Sequence, residues 1–410
     1  MKDKKRALEM LKERKQNKEL TYEIISRETG YERKQLSRLN RQLEEKDMES
    51  ILTHGNTGRK PVTTASDQEV SYLREFKKPY PNITIAQFRD FYLEDVINSP
   101  EKANDIEEYG LKPRSLSWFR ELFIKERWQS PAQRNVREKG SHVTHPVRKP
   151  KAHRGEMIQI DGSSYDWFQD GRNYTLHLAV DDATTEVLAG YFMPTECTRG
   201  YCHVIKAIIE EYGIPKSLYS DKDSVFISAK AKTLSQFGMM MDDLNIRMIL
   251  ANSPEAKGRV ERYNGTAQLR LPNDIIRYGI KNYSELNIWF NSFYKHYLNK
   301  KFAFIPLDPT DLFLPFPDDK DFSKIFRIRL TRKIHRASFS YEKILYSPID
   351  SEGELKVISD NTTVNIYRDV FTEELYLEYY GKHYTCIPVG SRQRDSVSIV
   401  HNQKDVQRLE

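Results

Sequence analysis

The feature that most constrains the fold is an alternation of short apolar strand patterns and amphipathic helix patterns between residues 155 and 300. Three strand patterns come first, at MIQID, YTLHLAVDD and EVLAGYFM. Helix patterns then alternate with two further short strands, SLYSD and IRMILAN. Three consecutive strands followed by alternating elements predict an α/β core, with a mixed five-stranded sheet covered by helices.

The segments on either side of this core have different patterns, so the chain is predicted to be multidomain. Residues 1–60 predict a helical helix-turn-helix DNA-binding domain, because Gly30 separates two helical repeats and the second is rich in Arg, Lys and Gln. Residues 65–130 predict a second helical unit, which we expect, without a motif of its own, to be a second DNA-binding domain. Residues 325–390 predict a small β-barrel of five strands. The five strand patterns are RKIHRASFSY, LKVISD, TTVNIYRD, ELYLEYY and KHYTCIPV.

Residues 131–154 form a basic linker in this scheme, with seven Lys or Arg, one Glu and three Pro. Such a connector is either a solvated tether or a segment that lies in a DNA groove and adds phosphate contacts. The N-terminus has no signal-peptide pattern, and no run approaches the roughly 18 apolar residues that span a bilayer. We therefore expect a cytoplasmic bacterial protein, associated with the nucleoid when it binds DNA and without a membrane partner.

Three acidic residues have settings typical of a metal site. Asp161 ends the strand MIQID, Asp221 ends the strand SLYSD, and Glu261 follows a helix start marked by Ser253 and Pro254. Each acid alone is commonly a solvated surface group. Together they predict catalytic residues that bind Mg²⁺, or Mn²⁺ in its place, because carboxylates are the hard ligands that such ions take.

The motifs around these acids resemble those of the integrase-core DDE transposases, which belong to the retroviral-integrase superfamily. The segment YSDKDSVF resembles S-D-x-G-x-x-F, with Asp223 in place of the glycine. The segment SPEAKGRVERYNGT resembles P-x-x-x-G-x-V-E-x-x-N, and 39 residues separate Asp221 from Glu261. The run G-R-V-E-R-x-N-G-T is similar to that of ISNCY-type bacterial insertion-sequence transposases.

This resemblance implies an RNase H-like integrase catalytic core over residues 155–300 and a DNA transposase activity. Such an enzyme binds transposon ends, cleaves phosphodiester bonds to give 3′-hydroxyls, and transfers them to target DNA by two-metal in-line chemistry. The implied partner is double-stranded DNA, both transposon ends and target, with the protein acting as a homo-multimer on DNA. Two alternatives remain open, namely an RNase H-like nuclease without strand transfer and a catalytically retired DNA-binding regulator.

Candidate DNA contacts lie in two regions. Lys257 is one helical turn before Glu261, and the resemblance implies that it touches the DNA end. Arg259 and Arg262 flank the same glutamate and are either DNA contacts or surface charges. The second helix of the N-terminal region is either a recognition helix or part of an ordinary solvated hairpin. Its candidate contacts are Arg33, Lys34, Gln35, Arg38 and Arg41.

Overall fold

The computed structural model describes residues 3–53, 64–131, 148–221, 225–226, 234–250, 258–392 and 397–398. The chain forms two compact units. The first comprises Met1–Arg74 with Glu108–Gly110, and the second comprises Glu75–Glu107 with Leu111–Glu410. None of the helices in the described ranges combines the length and apolarity needed to cross a membrane.

The first unit is helical, as the sequence predicts. Its first four helices are α1 (Lys4–Arg14), α2 (Tyr22–Thr29), α3 (Arg33–Glu45) and α4 (Met48–Leu52). Helix α2 ends at Gly30, whose φ of +68° is a left-handed conformation that glycine adopts without steric cost. Leu8, Leu11, Ile25 and Leu36 are fully buried in the core between the helices. The turn between α2 and α3 therefore lies where the sequence predicts it.

Four helices follow along the chain, joined in part by a π-helical turn at Leu93–Ile97 and a 3₁₀ turn at Pro100–Lys102. They are α5 (Asp67–Lys77), α6 (Ile85–Tyr92), α7 (Ala103–Tyr109) and α8 (Leu116–Lys125). The inward face of α6 carries Phe88, Phe91 and Tyr92, which are fully buried. Phe119 of α8 meets Phe88 and Tyr92 edge to face.

The second unit contains the predicted mixed sheet of five strands. Its strands are β1 (Ile158–Tyr165), β2 (Tyr174–Asp181), β3 (Val187–Met193), β4 (Ser217–Ser220) and β5 (Arg247–Leu250). The order is β3-β2-β1-β4-β5. The three N-terminal strands are antiparallel, and β4 and β5 run parallel to β1. Strands β2 and β3 form an antiparallel pair from Thr175 to Val187.

Helices cover both faces of this sheet. They are α9 (Thr198–Glu211), α10 (Gln236–Asp243), α11 (Gly258–Tyr278), α12 (Tyr283–Trp289) and α13 (Lys295–Phe302), with a π-helical turn at Phe290–Tyr294 between the last two. Helices α9 and α10 pack against Ile158 and Ile160 of β1. Helices α11 and α12 pack on the opposite face, against Leu176 and Leu178 of β2. Burial on both faces explains why Leu178, Ala179 and Val180 of β2 are apolar in succession.

Strand β1 is longer than the sequence predicts. The pattern MIQID placed Asp161 at its end, but the strand continues to Tyr165, and Asp161 pairs with Leu178 of β2. The residues after Asp161 are polar, so an apolar pattern alone ends too early. Pairing with β2 along the whole strand overrides that local signal.

The helical segment before the core docks on α11, a contact that the sequence does not predict. Gln87 of α6 donates through Nε2 to the carbonyl oxygen of Arg270, at 2.8 Å, and to Oδ2 of Asp274, at 3.1 Å. Arg277 of α11 pairs with Glu94 at 3.0 Å and also with Asp95. These buried and half-buried contacts join the segment to the core within the second unit.

The C-terminal part is an antiparallel, nearly closed barrel-like sheet that follows a short helix, α14 (Phe322–Ile325). Its strands are β6 (Arg327–Lys333), β7 (Phe339–Tyr341), β8 (Ile344–Ile349), β9 (Thr363–Asp369), β10 (Leu375–Tyr379), β11 (Lys382–Arg392) and β12 (Val397–Ser398). The order is β6-β9-β10-β11-β8-β7, with β12 paired to β11. Strands β6 and β7 are consecutive in sequence but lie at opposite ends of this order, so the sheet curls toward closure.

Two of the predicted barrel strands are wrong. The pattern LKVISD forms no strand and contributes only a bridge between Ile349 and Leu355. The strand in this part of the chain is β8, which precedes the pattern LKVISD. The sequence does not predict β8, because Pro348 has no N–H to donate to a strand ladder. Pro348 pairs with Cys386 of β11 and lies past the end of β7, where its missing N–H costs no ladder bond. The pattern RKIHRASFSY is also divided, by a turn at His335–Ser338, between β6 and β7.

Candidate active site

Strand β1 and helix α11 are joined by a row of polar contacts. Residues of β1 alternate between the two faces of the sheet, so Gln159, Asp161 and Ser163 share the face toward α11. Two residues of a strand advance about 6.6 Å, and four residues of a helix advance about 6 Å. Every second residue of β1 therefore stays beside every fourth residue of α11. The contacts are Val260 N–H to Gln159 Oε1 at 3.1 Å, Asn264 Nδ2 to Asp161 Oδ2 at 2.8 Å, and Gln268 Nε2 to Ser163 Oγ at 3.0 Å.

Asp161 lies on β1, and Asp221 directly follows the neighbouring parallel strand β4. In the pairing of β1 with β4, Gln159 is level with Tyr219. Asp161 is two residues beyond Gln159, and Asp221 is two residues beyond Tyr219. Neighbouring strands are about 4.8 Å apart. The strand pair therefore brings together two of the three predicted catalytic acids.

Glu261 lies in the first turn of α11 and is exposed. It precedes Asn264 by three residues, and residues three apart are neighbours on a helix surface. Glu261 is thus one turn from the side chain that contacts Asp161. Across the described residues, no three His, Cys, Asp or Glu side chains are close enough together to hold a metal ion. The structure places Asp161, Asp221 and Glu261 on adjoining elements, but the three carboxylates do not converge on one point.

The oxygen atoms near Asp161 fit a hard divalent cation. Asn264 is 6% exposed, and its Oδ1 is buried without a hydrogen-bond partner among the described residues. That oxygen belongs to the same amide whose Nδ2 contacts Asp161 Oδ2, and carbonyl and carboxylate oxygens are the ligands that Mg²⁺ takes. Asp161 and Asp221, with Glu261 on the adjoining helix, could hold Mg²⁺ or Mn²⁺.

A further acid, Glu196, lies against the candidate site and was missed in the sequence. Tyr201 donates its hydroxyl to Glu196 Oε1 at 2.6 Å. A Cβ on Gly162 would lie 2.6 Å from the carboxyl carbon of Glu196, so a larger residue after Asp161 would require the Glu196 side chain to move. The pKa of Tyr201 is raised well above its usual value, first by burial and then by nearby carboxylates that include Glu196, Asp161 and Asp221. A glycine directly after Asp161 was the available signal for this close approach.

Asp182 anchors the region around the start of α11. It is fully buried and accepts hydrogen bonds from Gln159 Nε2 at 2.6 Å, Arg259 Nη1 at 2.8 Å and the backbone N–H of Lys151 at 2.8 Å. Arg148, at the end of the predicted linker, also pairs with it. These bonds give Asp182 a structural role, and the guanidinium of Arg259 is engaged within the protein.

The remaining predicted DNA contacts are distributed over both units. Arg262 is exposed on α11, and Lys257 lies outside the described residues, as do Ser253, Pro254 and Asp223. On α3, the side chain of Gln35 accepts from the backbone N–H of Glu32 and completes a capping box. The exposed candidates on α3 are Arg33, Lys34, Arg38 and Arg41.

No family model matches the chain. It is 36% identical over 194 residues to "Putative transposase y4bF" of Sinorhizobium fredii (strain NBRC 101917 / NGR234), covering 46% of this chain and 42% of that protein. It is 37% identical over 166 residues to "Transposase for insertion sequence IS1202" of Streptococcus pneumoniae, covering 39% of this chain and 35% of that protein. The chain thus matches about two fifths of the length of these curated relatives.

Two solved structures are also similar. The simian T-cell lymphotropic virus intasome in complex with PP2A regulatory subunit B56 gamma has a TM-score of 0.32 and 13% identity, covering 71% of this chain and 96% of that chain. The HTLV-2 integrase catalytic core domain in complex with magnesium, trimeric form, has a TM-score of 0.26 and 19% identity, covering 34% of this chain and 85% of that chain. Such low TM-scores do not establish a shared fold. The predicted resemblance to transposases is confirmed by sequence, and this chain is similar to transposases over nearly half its length.

Proposed function

We propose that this protein is a DNA transposase of the integrase-core type, with an RNase H-like catalytic core and a helix-turn-helix domain that binds transposon ends. The observation that carries the proposal is the hydrogen bond from Asn264 of α11 to Asp161 of β1, the strand that pairs with β4, which Asp221 directly follows. Both acids and the asparagine belong to the motifs that resemble transposases. The sequence similarity to two transposases supports the same activity.

Asp161, Asp221 and Glu261 would hold two Mg²⁺ or Mn²⁺ ions. When bound, such ions lower the pKa of an attacking water or hydroxyl and stabilise the charge on the leaving oxygen. Three carboxylates offset the charge of the cations. Asn264 would keep the carboxylate of Asp161 in one orientation, as partners of ligating carboxylates generally do.

The reaction needs no covalent link between protein and DNA. Water attacks the phosphorus of a phosphodiester at the transposon end and the P–O3′ bond breaks, which leaves a 3′-hydroxyl on the transposon strand and a 5′-phosphate on the flanking DNA. That hydroxyl then attacks a phosphodiester of target DNA, and one bond forms as another breaks. The chain's own residues position the DNA: α3 would hold the transposon end, and exposed cations such as Arg262 would contact phosphates.

A joining assay separates this proposal from the nuclease alternative. The full-length protein, as a homo-multimer on DNA, is given Mg²⁺, a plasmid target and a duplex from the DNA flanking its gene, cut to expose the 3′-hydroxyl. The proposal predicts that the duplex becomes covalently joined to the plasmid. Cleavage of an uncut duplex without any joining would favour a nuclease, and binding without either reaction would favour a regulator.

A further inference from the structure

Gln159 of β1 links two elements that carry candidate catalytic acids. It is two residues before Asp161 and shares its face of the strand, toward α11. The residue is fully buried, and both ends of its amide are hydrogen-bonded. Its Oε1 accepts from the backbone N–H of Val260 at 3.1 Å, and its Nε2 donates to Oδ1 of Asp182 at 2.6 Å. The amide therefore joins β1 directly to the residue before Glu261.

The start of α11 has a second link to the same amide. Nη1 of Arg259 donates at 2.8 Å to Oδ1 of Asp182, the oxygen that also accepts from Gln159. The side chain of Arg259 is 16% exposed, and that of Asp182 is fully buried. Breaking a buried ion pair is costly, so this link holds the helix firmly. Arg259 and Val260, the two residues directly before Glu261, are thus both tied to the strand.

Helix α11 is also held to β1 on the other side of Glu261. Asn264, three residues further on, donates to Asp161 at 2.8 Å. Glu261 itself is exposed, so its place is set by the backbone of α11 rather than by burial of its side chain. Catalytic and metal-binding side chains must be held within about 0.5 Å of their productive geometry. Contacts that fix the backbone of α11 against β1 therefore decide where the Glu261 carboxylate can reach.

The two hydrogen bonds of Gln159 require a side chain that accepts and donates at the same end, as an amide does. Gln159→Glu would keep an acceptor for Val260 but would place a second carboxylate against Asp182. Gln159→Met would fill a similar volume but would leave the buried N–H of Val260 without this acceptor, which is costly inside a protein. Variants at this one position can therefore loosen the start of α11 without changing any candidate metal ligand.

We propose that Gln159 is a positioning residue for Glu261. Through Val260, and through Asp182 and Arg259, it holds the start of α11 where Glu261 can join Asp161 in binding Mg²⁺ or Mn²⁺. This inference rests on the proposed function and goes beyond it, because it gives a fully buried amide a role in the affinity of the site for metal.

The test measures Mg²⁺ binding by the full-length protein, by calorimetry without DNA. The variants are Gln159→Met, Glu261→Gln and the two combined. The matched control is Gln236→Met on α10. The amide of Gln236 likewise accepts from a backbone N–H and donates to a carbonyl oxygen, both of Arg329, at 2.8 and 2.9 Å. Chemical unfolding of each variant shows whether it is folded.

Gln159→Met should bind Mg²⁺ about tenfold more weakly than wild type, and Gln236→Met should bind it normally. The Mg²⁺ concentration that gives half-maximal DNA cleavage should rise by the same factor. In the Glu261→Gln background, adding Gln159→Met should change Mg²⁺ binding little, because the carboxylate that it positions is gone. Wild-type Mg²⁺ binding by folded Gln159→Met would overturn the inference. An equal further loss in the Glu261→Gln background would also overturn it.

A compensating pair decides if Gln159→Met does not fold or if Glu261→Gln binds too little Mg²⁺ to measure. Gln159→Glu alone should weaken Mg²⁺ binding, because its carboxylate repels that of Asp182. Adding Asp182→Asn lets an amide donate to the new carboxylate, and most of the Mg²⁺ binding should return. No recovery in the folded double variant would contradict the positioning role. A wild type that neither binds Mg²⁺ nor cleaves DNA would contradict the proposed function itself.

Discussion

Asn264 and Asp161 are joined by a hydrogen bond of 2.8 Å that runs from Nδ2 of a buried amide to Oδ2 of the carboxylate. The bond links the helix that carries Glu261 to the strand that lies beside Asp221. The bond therefore fixes the orientation of the Asp161 carboxylate and the position of Glu261 relative to Asp161.

Replacing Asn264 with alanine should lower the rate of DNA cleavage by about 10- to 100-fold, the usual effect of losing a partner of a metal-ligating carboxylate. DNA binding should change little, because the carboxylate charge remains. Single-turnover cleavage and a binding titration measure the two effects. Thr266→Ala, on the same helix, is the matched control. Equal cleavage rates for Asn264→Ala and wild type would remove Asn264 from the site.

Gly162 and Glu196 should show a compensating effect. A methyl group on Gly162 would lie 2.6 Å from the carboxyl carbon of Glu196, so Gly162→Ala should displace that side chain and disturb Asp161 beside it. We expect slower cleavage in Gly162→Ala and partial recovery when Glu196→Ala is added, since the second change removes the clash. The comparison is made by cleavage rate, with Glu196→Ala alone as the control. A double variant no faster than Gly162→Ala would contradict the account.

Stability should fall in mild acid because His177 must be neutral. Its Nε2 accepts from the N–H of Cys197 at 3.1 Å, and its Nδ1 lies 3.0 Å from the carbonyl oxygen of Tyr191. Burial lowers the pKa of His177 to about 4, and burial also lowers that of His203 to about 4. The unfolded chain therefore takes up protons near pH 6.5, before the folded chain does.

The free energy of unfolding should accordingly be highest above pH 6.5 and fall as the pH drops toward 4, by on the order of 2–3 kcal/mol for His177. Denaturant titrations at several pH values measure this. In His177→Gln, whose amide can keep one donor and one acceptor, the acid-dependent loss should shrink, with the remainder due to His203. If the free energy of unfolding fell equally with pH in wild type and in His177→Gln, His177 would not be the origin of the loss.

The buried carboxylate of Asp182 should be a large single contributor to stability. Asp182→Ala leaves the guanidinium groups of Arg148 and Arg259 without their partner, and breaking such a buried pair costs about 3–5 kcal/mol. The exposed pair of Asp170 with Arg172 provides the control, since Asp170→Ala should have little effect. Chemical denaturation of both variants gives the comparison. Similar midpoints for the two variants would mean that the Asp182 cluster is not needed for stability.

The sequence predicts most of the core because its elements have strong local signals. The apolar runs of β2 and β3 and the buried face of α6 are set by burial periodicity, which can be read directly. The end of β1 could not be placed, because its polar residues after Asp161 are held by pairing with β2 rather than by apolar content. In the barrel, Pro348 is a local signal against a strand. It is tolerated in β8 because it lies past the end of β7, where its missing N–H costs no hydrogen bond between strands.

The sequence predicts the motif residues of the candidate site, but it does not predict the residues that they contact. Asp161, Asp221 and Glu261 stand out by setting and resemblance, whereas the contact of Glu196 with Gly162 and the pairing of Arg259 with Asp182 join residues far apart in sequence. The docking of α6 on α11 through Gln87 has no local signal either. Such contacts depend on which surfaces meet in the folded chain, and a single sequence does not encode them in a readable pattern.

The most direct test of the central claim is DNA cleavage and joining by Glu261→Gln in Mg²⁺, measured beside Glu352→Gln, an exposed control in the barrel. The account predicts that Glu261→Gln loses both reactions, because one ligand charge is gone, while it binds the same DNA as wild type does. The Glu352→Gln control should cleave and join normally. Cleavage by Glu261→Gln at the wild-type rate would contradict the assignment of Asp161, Asp221 and Glu261 as one catalytic site.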